Sequence, residues 1–499
     1  MFQFLKRFLP KQVVHIIKRE VRARYDAAQT GHENENHWAA ADSLGPIASN
    51  ETYIRNKLAY RARYERDNNP HLYGGIRLHG LSFVGTGPRL QLSMGESLYA
   101  STRKVETDFA KWAKSIRLAD KLRQMVEAAP IDGESFAQFI VNPRVEGPVK
   151  LDLRVIETEQ IKTPDFRLEM AVDGIEIDSD GNVVNYHLLD EHPGDAQGWT
   201  QDYTEVPVAN MLHWLRRVRA GQYRGVSELA SSLDTCGQTR RYAKATLGKQ
   251  ELNANIAGVI ESENILPDTG DAPTFETMEE IDMPRMGLIN MPAGMKAKPF
   301  DTAQNTTGYR EYMMMNHGAT ARPILLPLNY YTGDSSNYNF ASGRMDHLPY
   351  QASVWSERER FETEILSKII RNFYSAASEA GLIPADLPRF DEWNISWQWD
   401  GFPSIDQVKD ENAREMRLKN GISTLSEECA AEGKDWREVA RQQAAERDYY
   451  VQLGLDDPYA VLRGTIKPPM PDEPSQGSET IDDEDDTTLE KANARYARV

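Results

Sequence analysis

The chain has 499 residues, 40% of them hydrophobic and 27% charged, with a formal net charge of −18. These proportions fit a folded, water-facing protein, and no run approaches the roughly 18–20 apolar residues that a membrane-spanning helix needs. The acid excess argues against a protein that grips nucleic acid by phosphate neutralisation, and two cysteines, Cys236 and Cys429, exclude a disulfide framework and a cysteine zinc site.

The first residues, MFQFLKRFLPKQVVHIIKREVRARYDAA, mix basic and apolar side chains, and Lys6, Arg7 and Lys11 interrupt any signal-peptide core. The stretch 1–45 reads as a basic amphipathic arm lying on its own or a neighbouring subunit, with a membrane-surface helix as the alternative. A helical pattern runs from Glu51 to Arg66 and stops at Asp67-Asn68-Asn69-Pro70, because a residue before proline is pushed out of the α region. A second helix is expected from near Leu72 to Phe83, then a turn at Gly85-Thr86-Gly87-Pro88 and a strand Arg89–Leu92. One further helix is expected over about Thr102 to Ala128, carrying Phe109, Trp112 and Ile116.

From Glu134 the texture changes to short β-branched runs: Phe136–Val141, Val149–Glu157, Gly174–Ile177 and Val183–Leu189, with Asp180-Gly181-Asn182 as a hairpin turn. The segment Met211 to Ala230 reads MLHWLRRVRAGQYRGVSELA. It suggests a strand or short helix, a glycine-bounded turn, and Ser227 as a helix N-cap. A long helix over about Ser227 to Leu252, a strand Ile256–Ile260, an irregular insert from Asn264 to Met295 and a helix over about Thr302 to His317 form a hairpin-like projection. Pro323 and Pro327 break the chain, and Asn329 to Asn339 reads as a polar, aromatic loop. A helix is expected from near Gln351 to Ala380. A strand around Trp393, Trp397 and Trp399 comes next, then helices over roughly Ser404 to Gln452. From Lys467 onward the composition, with its run Asp482–Asp486, is that of a disordered acidic tail.

No constellation of residues proposes catalysis or a cofactor. Asp178-Ser179-Asp180-Gly181-Asn182 opens like a calcium loop, but Leu189 stands where the loop needs glutamate. The Gly85-Thr86-Gly87 pair lacks both the third glycine and the strand–helix context of a phosphate loop. His187, His192 and His213, with Asp190 or Glu191, lack helical metal-ligand spacing. Cys429 beside Glu427 and Glu428 has no cation to lower its pKa. Three consecutive methionines, Met313-Met314-Met315, cannot all face one core, so with Tyr309 and Tyr312 they are read as a seam between subunits. Asn329, Tyr330, Tyr331, Asp334, Asn337, Tyr338 and Asn339 carry no catalytic partner and read as an ordinary surface loop or as non-specific contacts to a nucleic-acid backbone.

Taken in order, several motifs resemble the lambda-type portal family of tailed bacteriophages. They are Arg24-Tyr25-Asp26-Ala27-Ala28 with His37-Trp38, Arg61-Ala62-Arg63-Tyr64-Glu65, Val84-Gly85-Thr86-Gly87-Pro88-Arg89, Asp132-Gly133-Glu134-Ser135-Phe136, Thr163-Pro164, His192-Pro193-Gly194, Gly221-Gln222-Tyr223-Arg224-Gly225-Val226-Ser227 and Gly421-Ile422-Ser423-Thr424-Leu425-Ser426-Glu427-Glu428.

The resemblance implies an α+β ring subunit with a wing at 46–226 and 343–403, stem helices at 227–255 and 302–326 and a small α/β clip at 256–301. It further implies a tunnel loop at 327–342, a helical crown at 404–463 and the tail at 464–499. It implies a homo-oligomer, typically a dodecamer, assembled in the host cytoplasm and seated at one capsid vertex. Double-stranded DNA passes through it, driven by a terminase large subunit. Major capsid or scaffold protein and head-completion or adaptor proteins are the other implied partners. In such a conduit, net negative charge keeps DNA from adhering. The resemblance implies no membrane, no cofactor, no metal and no catalytic residue. The rival readings are a minor head or adaptor protein and a metal-dependent hydrolase. One departure from the family pattern lies at Thr320 to Pro327, which has no Gly-x-Pro lead into the tunnel loop.

Overall fold

The structure is a computed structural model that describes residues 36, 39–164, 171–195, 202–255, 259–262, 295–298, 306–403, 406–457 and 459. It divides into two compact units at Ile405/Asp406. In the first unit a short turn α1 (Pro46–Ser49) leads into α2 (Thr52–Asn68) and α3 (Pro70–Val84). The junction follows from three residues. Asn69 is extended, its side chain accepts from the His71 and Leu72 N–H groups at 3.1 and 3.3 Å, and Pro70 takes the first helical position. β1 (Arg89–Leu92) pairs antiparallel with β11 (Ile395–Gln398), tying this end of the chain to the tryptophan segment.

The single helix expected over Thr102 to Ala128 is two, α4 (Tyr99–Ser115) and α5 (Leu118–Asp132), with Arg117 left-handed between them at φ 53°. Ile116 and Leu118 are both buried, and a two-residue step between buried positions cannot stay on one helical face. α5 ends at left-handed Gly133 and passes into β2 (Glu134–Val141).

β2 is the centre of a three-stranded antiparallel sheet with β3 (Leu151–Ile156) and β8 (Met211–Leu215). A second sheet runs β4 (Ala171–Val172), β5 (Ile175–Ile177), β6 (Val183–Leu189), β7 (Tyr203–Pro207). Alternation along β2 makes the first sheet a partition. Ala137 and Phe139 face the large helical core, and Phe136 faces a smaller core with Ile161, Ile175, Tyr186 and Leu188.

Glu134 lies at this partition, fully buried. Arg224 reaches its Oε1 through Nε and Nη2 at 2.8 and 2.7 Å, the Gly225 N–H donates to Oε2 at 2.8 Å, and His213 Nε2 lies 3.0 Å from Oε2. Burial alone would push this carboxyl up; Arg224, His213 and Arg55 overcome that and hold it well below the usual carboxylate range. Arg224 also donates to the carbonyls of Ile161, Asp173 and Thr158, and Arg55 pairs with Asp173. Gly133 and Gly225 pass so closely that a Cβ on either would collide with the other segment's backbone, and Gly133 has φ 89°. Ser227 Oγ donates to the Pro130 carbonyl at 3.2 Å rather than capping a helix.

α6 (Leu233–Asn255) therefore starts later than the expected Ser227, after a 3-10 turn. The strand expected over Ile256–Ile260 is β9 (Val259–Ser262), paired with β10 (Met295–Lys298); residues 263–294 lie outside the described set. α7 (Thr306–Ala321) packs antiparallel to α6, with Cys236 beside Thr320 and Tyr242 beside Tyr312.

The expected loop contains a helix, α8 (Leu328–Thr332), and the helix expected from Gln351 begins at Phe340 as α9 (Phe340–Phe361). Asn339 and Ser342 form a reciprocal capping box that starts it early, and Pro349 is carried inside it. A π turn at Glu362–Leu366 joins α9 to α10 (Ser367–Glu379). Fully buried Arg358 donates to the Phe83, Ser82 and Asp400 carbonyls, two of which belong to the last turn of α3.

The second unit holds α11 (Gln407–Lys419), α12 (Leu425–Ala431) and α13 (Trp436–Gln452), capped by Asp406, Thr424 and Asp435. None of these three helices has a buried residue. The acidic run Asp482–Asp486 and most of the N-terminal arm lie outside the described residues.

Replacing Arg224 by methionine leaves the buried Glu134 with Arg55, His213 and the Gly225 N–H and removes its closest cation. Equilibrium urea unfolding is expected to lose about 3–5 kcal/mol, the cost of uncompensated buried charge.

Candidate functional site: outward faces and the loop before α9

Among the described residues, the groups able to ligate a metal or do chemistry are occupied with one another. His213 stacks on Phe136 at 4.2 Å between ring centroids and bonds to Glu134, whereas His187 is buried in β6 with its ring 5.8 Å from Tyr203. His192 stands apart from both, beside Glu157 and Glu159, and the three offer ligand atoms within 4.8 Å of one another. Arg63 fills that place. Its Nη1 lies 2.6 Å from Glu159 and 3.5 Å from Glu157, and its Nε lies 2.7 Å from Asp132. His192 Nδ1 accepts the Gly194 N–H at 3.0 Å, so in the neutral ring Nε2 carries the proton and has no lone pair for a metal. The Gly85–Gly87 turn is likewise filled by a carboxylate, since Asp400 accepts from Thr86 N–H at 2.6 Å and Thr86 Oγ1 at 2.9 Å. Burial pushes the thiols of Cys236 and Cys429 up, away from nucleophilic thiolate.

What remains is surface. On the α6–α7 hairpin, Tyr242 stacks on Tyr309 and meets Tyr312 edge-on at 4.6 Å, so both tyrosines of the expected seam spend one face inside the subunit. Met313 and Met314 are half-buried and Met315 is 66% exposed.

The loop residues separate into two groups. Tyr331 is buried between His71 and His317 and close against Gly75, and Asn329 bonds to His347 at 3.2 Å. Tyr330 lies 4.2 Å from the His347 ring and 6.0 Å from Tyr350. These three residues pin α8 to α3, α7 and α9. Asp334, Asn337 and Asn339 lie toward solvent, with Tyr338 half-buried. Arg310 of α7 reaches Asp334 at 3.1 Å, which brings to this loop a cation that its own sequence lacks.

One feature of α2 was not legible as a site. Its tyrosines mark a helical pattern, yet Tyr53, Tyr60 and Tyr64 are 68%, 53% and 56% exposed while Arg55, Ala59, Ala62 and Glu65 are buried. The helix is turned polar side inward because Arg55 is needed at Glu134 and Asp173, and Glu65 pairs with Arg240 at 2.8 Å.

The family model described as "Phage portal protein, lambda family" matches residues 37–358. The chain belongs to the lambda family of phage portal proteins. It is 22% identical over 382 residues to a probable portal protein of Halomonas phage phiHAP-1, covering 72% of each chain. It is 24% identical over 450 residues to portal protein B of Escherichia phage lambda, covering 78% of this chain and 83% of that one. Among solved structures it overlays on a chain from the neck of a native gene transfer agent particle. That overlay has 14% identity and a TM-score of 0.41, over 74% of this chain and 92% of that one.

The portal role is structural, a part of the virion's head–tail connection. The motifs Asp132–Phe136 and Gly221–Ser227 meet in this portal protein at the buried Glu134 network rather than at a reactive surface.

Two outcomes follow from this geometry. Millimolar calcium, magnesium or zinc is expected to leave the thermal midpoint unchanged, because Arg63 already neutralises the Glu157–Glu159–His192 group. A rise abolished by Glu157→Gln would make it a metal site. His317 is held neutral by burial and by His71, 4.5 Å away, with its pKa drawn down to about 4. The unfolded chain binds that proton first, so the contribution is whole above pH 6.5 and is lost as pH falls toward 4. Over that window wild type should lose roughly 3 kcal/mol more than His317→Phe in chemical unfolding.

Proposed function

We propose that this portal protein closes into a homo-oligomeric ring, a dodecamer by the family resemblance, and that double-stranded DNA passes through its centre during packaging and ejection. The observation that carries the ring is surface the single subunit does not cover. Met315 and the tyrosines of α2 stand outward, and all three helices of the second unit lack any buried residue. In this reading 46–226 and 343–403 form the wing, α6 and α7 the stem, 256–301 the clip, and 404–463 the crown. Tyr309, Tyr312 and Met313 to Met315 serve as a seam between copies. Light scattering on the purified chain at micromolar concentration is expected to show one large closed species; a compact monomer at every salt concentration would defeat the reading.

The tunnel loop narrows to its solvent side. Asn337, Tyr338 and Asn339 offer hydroxyl and amide groups that make weak, replaceable contacts with passing phosphates, Asp334 prevents tight retention by repelling them, and Asn329, Tyr330 and Tyr331 anchor the loop. The net charge of −18 keeps the remaining surface from holding DNA. ATP hydrolysis belongs to a partner terminase in this reading, and capsid or scaffold protein and head-completion proteins dock on the outside of a ring assembled in the host cytoplasm. Replacing Ser335–Tyr338 by two glycines should leave ring size unchanged and reduce packaged DNA in an assembly assay. Normal packaging by that variant would place the loop away from the channel.

A further inference from the structure

The first unit presents two outward helical faces of unlike chemistry. On α2, Tyr53, Lys57, Tyr60 and Tyr64 follow one another at helical spacing, with Arg61 on their flank, and all five are exposed. Lys57 Nζ stands 5.4 Å over the Tyr53 ring, and Arg240 stands 5.0 Å over the Tyr64 ring, carrying the face onto α6. This face is aromatic and basic on a chain whose net charge is strongly acidic. On α9, Met345, Leu348, Ala352, Trp355 and Glu359 share a second stripe, also outward. Met345 is 72% exposed, Leu348 51% and Trp355 41%. That stripe is apolar along its length, aliphatic at Met345 and Leu348 and aromatic at Trp355, and ends in a carboxylate.

We propose that these faces are the two halves of one contact between successive copies of this chain, α2 of one subunit lying on α9 of the next. The proposal rests on the ring reading above and names the surfaces that make the ring. Four arguments support a second copy as the occupant. Covering the outer parts of three tyrosines and two basic side chains removes on the order of 400–500 Å² from water, about half of one partner's share of a standard interface. The contacts α2 makes through Arg240 continue that area toward the Tyr242, Tyr309 and Tyr312 cluster on α6 and α7. The Glu359 carboxylate at one end of the α9 stripe offers a partner to Lys57 and Arg61, while Arg344 flanks the other end. Tyrosine rings against methionine and leucine side chains also match a flat aromatic surface to an adaptable aliphatic one. Because the faces differ, the contact is heterologous. Such a contact propagates from subunit to subunit until it closes, which an isologous contact on one patch cannot do.

Two variants of the full chain test this, each altering exposed positions on one face: Tyr60→Glu with Tyr64→Glu, and Met345→Glu with Leu348→Glu. Each alone should raise the concentration needed for assembly at least tenfold, with wild-type far-UV circular dichroism. Mixed in equal amounts, they should form a one-to-one dimer that grows no further, because the intact α9 of the first meets the intact α2 of the second and the outer faces are both damaged. Mass photometry reads all three species. Rings from either variant at the wild-type concentration would overturn the proposal while leaving the ring reading intact. So would folded variants that stay monomeric when mixed. A monomeric wild type would instead remove the ring reading itself.

Discussion

A carboxylate with no access to water sets the arrangement of the first unit. Glu134 opens the central strand, and a charge in that position is tolerable only if cations and N–H groups surround it. Arg224 and Gly225 come from 90 residues further along the chain, Arg55 from the first long helix and His213 from the neighbouring strand. One buried charge thus obliges four distant segments to meet. The glycines on either side of the contact let the two backbones come close enough to do so.

The orientation of α2 is a consequence of that requirement. Arg55 must point inward, and a helix that points Arg55 inward also turns Ala59, Ala62 and Glu65 inward and three tyrosines outward. A structural demand at the core therefore creates an aromatic surface on the outside. Arg358 works in the same way on the other long helix. Burial draws its pKa down to about 10, so it stays charged, and it finds carbonyls at the last turn of α3. With Arg358 and Tyr350 inward, the opposite stripe of α9 faces out. The two buried arginines, Arg55 and Arg358, thus fix which stripes of α2 and α9 face out.

The segment before α9 shows how rigid and exposed parts of one loop are divided. Four rings, His71, His317, His347 and Tyr350, hold Tyr330 and Tyr331, and the Asn339 capping box holds the other end. The residues from Gly333 to Asn339 form the part of the loop turned toward solvent, with Tyr338 half-buried among them. Arg310 ties even these to α7 through Asp334, so the position of the loop follows the helix beneath it.

Local chemistry was readable along the chain wherever it depended on neighbours in sequence. The strands Arg89–Leu92 and Val183–Leu189 appear with the expected bounds, and Asn69-Pro70 separates two helices as pre-proline sterics require. The order of short motifs carried the resemblance to the portal family, and several of them, among them Val84–Arg89, Asp132–Phe136 and Gly221–Ser227, are turns or junctions. The helix inside the expected loop and the outward tyrosines of α2 are decided by partners far away in sequence, which the residues alone could not reveal. The early start of α9 rests instead on the local Asn339–Ser342 capping box. A helical stripe of tyrosines reads as a core face until an arginine on the opposite side is claimed by a buried carboxylate 79 positions later, and that claim exists only once the chain is folded, because desolvation gives a charge its price only in the interior.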